Sequence, residues 1–249
     1  MIPVTRSDLY LDGIFVSFDG FKALNNLSLE LASGELRAVI GPNGAGKSTM
    51  MDVITGKTRP DQGTALFLGS HDLTLLDETQ IANLGIGRKF QKPSVIETLT
   101  VWENLELALV GNRSPWRSIL QILEPKDCRS MTEMASRVGL SDALGLLGGA
   151  LSHGQKQWLE IGMLLLQEPK VLLVDEPAAG MTDAETLKTA ELLTSLAGEH
   201  TVLVVEHDMD FVEALGCKVT VLHEGHVLAE GSLSHVSSDN EVIDVYLGR

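Results

Sequence analysis

Gly41-Pro42-Asn43-Gly44-Ala45-Gly46-Lys47-Ser48, followed by Thr49, is the stretch on which the reading of the fold turns. It fits G-x-x-x-x-G-K-[ST], a phosphate-binding loop, provided a strand precedes it and a helix follows. Leu36-Arg37-Ala38-Val39-Ile40 reads as that strand, and residues 47–55 read as that helix, stopped by Gly56. Glycines let backbone N–H groups turn inward around a β-phosphate, and the helix N-terminus adds its partial positive charge. Lys47 is placed to neutralise the β- and γ-phosphates, and the Ser48 hydroxyl to ligate Mg²⁺. A chance glycine-rich turn would lack this strand–helix setting. The loop by itself leaves the kind of nucleoside triphosphatase open, because kinases, GTPases and motors share it.

Outward from the loop, residues 9–18 and 27–31 alternate apolar with polar, as half-buried strands do. A turn at residues 58–63 leads to a strand at 64–68. The middle of the chain reads as helical: residues 101–110, 130–138 and 141–147, with a loop carrying a short helix at 114–128. Two continuous apolar runs follow, Val171-Leu172-Leu173-Val174 and Thr201-Val202-Leu203-Val204-Val205, which suit strands buried on both faces of a parallel sheet. Helices are expected at 183–197 and 210–215, then a hairpin at Glu224-Gly225 and one short terminal helix. No internal repeat or low-complexity tract is visible.

The chain of 249 residues fits one large α/β domain or two small ones, and it is long enough to bury a core without staples. Its net charge of −15 repels phosphate backbones and anionic lipid, so no nucleic-acid partner is expected and any membrane role runs through protein partners. Cys128 and Cys217 form no CxxC or Cys/His cluster and read as thiols in a reducing compartment. No signal pattern opens the sequence, and its apolar runs are too short to span a bilayer.

Two further segments narrow the chemistry. Asp175 ends an apolar strand, with Glu176 behind it; one carboxylate there can hold a Mg²⁺ shell and the other can polarise an attacking water. Alone, the pair could be an ordinary acidic strand end. Leu151-Ser152-His153-Gly154-Gln155 carries a capping-box pattern, Ser152 with Gln155, and opens an apolar helix closed by Pro169. Structurally that is only a well-capped helix, but it lies shortly before Asp175-Glu176. Here the sequence resembles the ABC-transporter ATPase family, whose signature reads Leu-Ser-Gly-Gly-Gln. His153 departs from it, while Ser152 and Gly154 are retained.

The resemblance covers essentially the whole chain, with the motifs in family order. It implies an α/β P-loop NTPase fold with a RecA-like core, an antiparallel β subdomain and a helical signature subdomain. Within one domain over residues 1–249, the core would take 1–95 and 166–249, and the helical part 96–165. It implies that Gln91 joins the Mg²⁺ site with Ser48 and Asp175, that Glu176 is the catalytic base, and that His207 contacts the γ-phosphate. Phe18 would stack on adenine. Without the family, Gln91 reads as a solvated loop residue, His207 as structural and Phe18 as a core aromatic. Thr182 stands where the family usually has Asp, and Asp183 follows it.

The resemblance further implies ATP and Mg²⁺ as ligands and two such subunits stacked head to tail. Ser152, Gly154 and Gln155 would then serve a nucleotide held mainly by the partner, a paralogue or a second copy. Two membrane permease subunits and, indirectly, a periplasmic substrate-binding protein complete the implied assembly, at the cytoplasmic face of a bacterial inner membrane. Within the family, Asp175-Glu176-Pro177-Ala178-Ala179-Gly180-Met181 resembles the importers of branched-chain amino acids and urea. Residues 51–60, 85–93 and 151–163, the last with Trp158, look like the urea-transporter ATPase. The substrate expectation is therefore urea, with a branched-chain amino acid or short amide as the alternative. A soluble ABC-type ATPase would call for a coiled-coil insertion or basic surfaces, a small-molecule kinase would have no use for residues 151–155 or His207, and a non-catalytic module would have no use for Lys47 or Glu176.

Overall fold

The computed structural model describes residues 7–89, 94–109 and 125–247. Strands β1 (Ser7–Phe18) and β2 (Phe21–Ala32) form a hairpin. Its turn, Asp19-Gly20, takes φ 48° and 86°, the left-handed pair that suits a twisted hairpin. β3 (Leu36–Ile40) feeds the glycine loop, and α1 (Lys47–Ile54) leaves it. β4 (Gln62–Phe67) and β5 (His71–Asp72) complete an antiparallel sheet of order β2-β1-β4-β5. β4 begins two residues before the predicted start, because Gln62 already pairs with Phe15.

Helix α2 (Glu78–Leu84) and strand β6 (Ile86–Lys89) have no counterpart in the sequence reading. The signal was there: Asp77 and Gln80 form a reciprocal capping box, and Gly85 ends the helix at φ 107°. α3 (Val101–Leu109) lies close to expectation. α4 (Pro125–Arg137) starts five residues before the predicted helix at 130, with Pro125 in the first-turn position where its missing N–H costs nothing. The helix expected at 141–147 is absent. Only a 3₁₀ turn forms at Ser141–Ala143, and Leu144 and Leu146 instead accept the N–H groups of Trp102 and Val101. The rest of the predicted loop at 114–128 lies outside the described residues.

α5 (His153–Leu165), β7 (Val171–Asp175), α6 (Asp183–Leu196), β8 (Thr201–Val205) and α7 (Met209–Leu215) follow in alternation. β9 (Lys218–His223) and β10 (His226–Gly231) form the expected hairpin. Two terminal helices, α8 (Leu233–Val236) and α9 (Asn240–Leu247), replace the single one expected. The second sheet has the order β10-β9-β3-β8-β7-β6, parallel except for β10.

Every residue of β3, β7 and β8 is buried, as their unbroken apolar runs require. Their side chains alternate between two cores. Ala38, Leu172, Val174, Val202 and Val204 join α3, α4, α5, α6 and α7 on one face. Val39, Leu173, Leu203 and Val205 join α1 and the antiparallel sheet on the other. Each fully buried Leu or Val contributes about 1.5–3 kcal/mol. The doubly packed sheet is thus a stiff base for the loops at the C-terminal ends of its strands. Among the described residues no helix is long and apolar enough to cross a membrane.

Candidate functional site

The loops after β3, β7 and β8 leave the same edge of the parallel sheet, and they carry Gly41, Glu176 and His207. Ligands in open α/β sheets bind at this carboxyl edge. Gly41, Gly44 and Gly46 take φ 156°, 82° and 102°. A Cβ on Gly46 would lie 2.6 Å from the Ala23 carbonyl oxygen, and one on Gly41 would collide with the Leu222 carbonyl oxygen. Asn43, Gly44 and Ser48 are exposed, Pro42, Lys47 and Thr49 half-buried, and Ala45 buried. α1 has no side-chain cap, so its first N–H groups are left for an outside acceptor. This is a cradle shaped for an anion.

Lys47 Nζ donates to the carbonyls of Gly41 and Pro42 at 2.6 and 3.1 Å, across the loop. Burial lowers its pKa, while the nearby carboxylates of Glu176, Asp175 and Glu206 pull it back up. Asp175, the last residue of β7, is 5% exposed. Burial raises its carboxyl pKa, and Arg88 opposes the shift. The Arg88 guanidinium reaches Asp175 at 3.5 Å and Asp52, on α1, at 2.5 Å. The acid is therefore tied to the helix that carries Ser48. A buried carboxylate, an exposed hydroxyl and a lysine at an anion cradle fit a nucleoside triphosphate with a hard divalent cation.

Glu176 sits at φ 44°, a strained value for a non-glycine residue. Its N–H still bonds to the Val205 carbonyl at 2.9 Å, so the β7–β8 ladder holds the turn. Its Oε1 lies 3.6 Å from His207 Nδ1, and His207 is largely exposed. Glu206, which the sequence reading did not single out, is 1% exposed and accepts the N–H groups of Ala178, His207 and Asp208. That one carboxylate fixes both the loop after Glu176 and the backbone of His207.

The capping box expected at the signature is present. Ser152 Oγ accepts the Gln155 N–H at 3.2 Å, and Gln155 Oε1 accepts the Ser152 N–H at 3.0 Å. Gly154 packs on Glu185, whose carboxyl carbon lies 2.7 Å from where a Cβ would stand. Thr182 caps α6, and Asp183 is an exposed first-turn residue of that helix. No hydrogen bond or ion pair among the described residues joins Ser152 or Gly154 to Lys47, Asp175, Glu176 or His207. The candidate residues thus fall into two groups.

Phe18 is 49% exposed, which rules out its reading as a core aromatic. It faces Phe21 across the hairpin turn. Phe21 lines the concavity beside Pro42, Asn43 and Gly44, a placement the sequence reading missed. Gln91 lies outside the described residues. On its two flanks, Lys89 and Ser94 both attach to Glu160 of α5. Lys89 Nζ lies 3.9 Å from Glu160 Oε2, and Ser94 donates through N–H and Oγ to Oε1. Burial lowers the Lys89 pKa and raises that of Glu160, each opposed by the other's charge.

A family described as ABC transporter matches residues 24–179. The chain belongs to that family: it is an ATP-binding cassette of the ATPase type. The high-affinity branched-chain amino acid transport ATP-binding protein LivG of Escherichia coli K12 is 34% identical over 252 residues, covering 96% of this chain and 97% of LivG. The ADP conformation of MJ1267, an ATP-binding cassette of an ABC transporter, superposes with a TM-score of 0.85 at 31% identity, covering 98% of this chain and 100% of MJ1267. MJ0796, a bacterial ABC transporter cassette of dimeric structure, gives a TM-score of 0.76 at 26% identity over 90% of this chain and 98% of its own.

Proposed function

We propose that the chain is the ATP-hydrolysing subunit of an importer of the branched-chain amino acid type, held at the cytoplasmic face of the membrane by two permease subunits. The observation that carries this reading is the division of the candidate residues into two groups that no direct hydrogen bond or ion pair joins among the described residues. Lys47, Asp175, Glu176 and His207 form a hydrolytic half-site, and Ser152 and Gly154 form a second half directed at a partner's nucleotide. The dimeric MJ0796 cassette supports such pairing. The partner is a second ATPase subunit, a paralogue or another copy of this chain.

In this reading the 41–49 loop binds the phosphates and Lys47 neutralises them. Glu176 polarises the attacking water. His207 orients the γ-phosphate from the facing loop. Ser48, Asp175 and Gln91 would hold Mg²⁺, which supplies charge neutralisation when bound. Phe18 and Phe21 offer an aromatic surface for the base. The helical region 96–165, reached through Gln91, passes closure to the permeases, and ATP shifts the population toward the closed pair.

No residue of a nucleotide-driven subunit need touch the transported solute, so the substrate rests on kinship. LivG favours a branched-chain amino acid over the urea to which residues 51–60, 85–93 and 151–163 point. Urea is the second reading, carried by those stretches. The test is ATP-dependent uptake by the assembled complex in vesicles. Accumulation of leucine without urea is expected, and accumulation of urea without leucine overturns the substrate in favour of the second reading.

A further inference from the structure

Ser152 already has an anion. Its Oγ donates at 2.7 Å to Oε1 of Glu185, in the first turn of α6. A serine hydroxyl has one proton to give, so the same bond is unavailable to a phosphate while Glu185 holds it. Gly154 leaves room for this carboxylate: Glu185 Cδ and Oε1 both lie 2.7 Å from the position a Cβ would take. The other oxygen, Oε2, accepts hydrogen bonds from the Thr182 N–H and the Thr182 Oγ1 hydroxyl at 3.1 and 3.0 Å. One side chain therefore joins the Ser152 face to the loop that follows Glu176. The same hydrogen bonds hold the Glu185 carboxyl below the usual range, so it is charged at neutral pH.

We propose that the Glu185 carboxylate is an internal stand-in for the γ-phosphate on the Ser152–Gly154 face, and that it must withdraw before a partner's ATP can dock there. The inference rests on the shared-site reading above and adds a gate to it. Two anions cannot share the Ser152 proton, and their repulsion grows as the closing interface expels water. Withdrawal also releases Oε2 from Thr182, so docking of the phosphate is felt at the loop after Glu176. Glu185 acts here as a positioning residue that sets how much ATP closure requires.

The test uses the full chain carrying Glu176→Gln, to slow hydrolysis, and follows ATP-dependent association by sedimentation velocity. Glu185→Gln keeps a side chain that can complete the Thr182 capping box but removes the charge. It is expected to lower the ATP concentration for half-maximal association by about five- to tenfold, the difference between a charged and a neutral hydrogen bond. Glu185→Asp, one methylene shorter, keeps the first-turn acid while drawing it away from Ser152, and is expected to act in the same direction. Lost packing weakens association, whereas taking the competing charge off Ser152, by neutralising it or by shortening its side chain, strengthens it. If neither variant lowers the ATP requirement, the gate is wrong while the shared site stands. If the Glu176→Gln parent associates at saturating ATP neither with itself nor with the paralogous ATPase subunit of its complex, the shared site is wrong and the gate falls with it.

Discussion

Gly46 holds the left-handed conformation that turns the loop into α1, with the Ala23 carbonyl where a side chain would begin. Gly46→Ala therefore meets two penalties: about 1–2 kcal/mol for a left-handed alanine, and a clash with backbone that cannot swing aside. The variant is expected to lose at least that much stability in urea denaturation and to lose ATP binding in equilibrium dialysis. Parental affinity in a stable Gly46→Ala chain would contradict the cradle. At this scale the sequence was most legible where the chemistry is contiguous: the 41–49 loop, Asp175-Glu176 and the Ser152 capping box each lie within a few residues. It was least legible where partners are distant. Arg88 meets Asp175 across 87 residues, and Glu185 meets Ser152 across 33, with no local pattern announcing either. Phe21 was missed for a related reason, since only the hairpin geometry separates it from Phe18.

Among the elements, β3, β7 and β8 could be read directly because burial on both faces makes their runs continuous. α2 escaped because it buries only Ile81 and so shows no apolar stripe. The helix wrongly expected at 141–147 had the apolar spacing, but Gly145 weakens it and α3 claims its carbonyls. Edge strand β10 is tied to the sheet by charge as well as by its ladder. Buried Arg37 of β3 bonds Glu35, Thr220 and Glu230, and Lys218 also reaches Glu230. Burial pushes the Glu230 carboxyl up, but hydrogen bonds from Lys218 and Thr220, with the charge of Arg37, outweigh it and hold the pKa below its ordinary 4.5. A lowered folded value means stability that is full above pH 4.5 and lost as pH falls through that lowered value. Glu230→Gln should therefore melt below the parent at pH 7, with the gap closing in acid. A gap that widened on acidification would contradict the assignment.

Across the whole molecule, the parallel sheet between two cores sets Lys47, Asp175, Glu176 and His207 on one edge, and among the described residues no direct hydrogen bond or ion pair joins them to Ser152 and Gly154 at the start of α5. In the proposed function a working site takes its phosphate loop from one subunit and its Ser152 face from another. Complementation tests this directly, with the chain serving as both subunits. Lys47→Ala and Ser152→Arg should each be inactive alone as ATPases. Mixed, half the pairs would be heterodimers, each with one site whose loop and signature are both intact, so roughly a quarter of the parental sites return. Phosphate release from the mixture well above either variant alone is the predicted result. A mixture that associates with ATP yet hydrolyses no faster than its components would show that each subunit completes its own site.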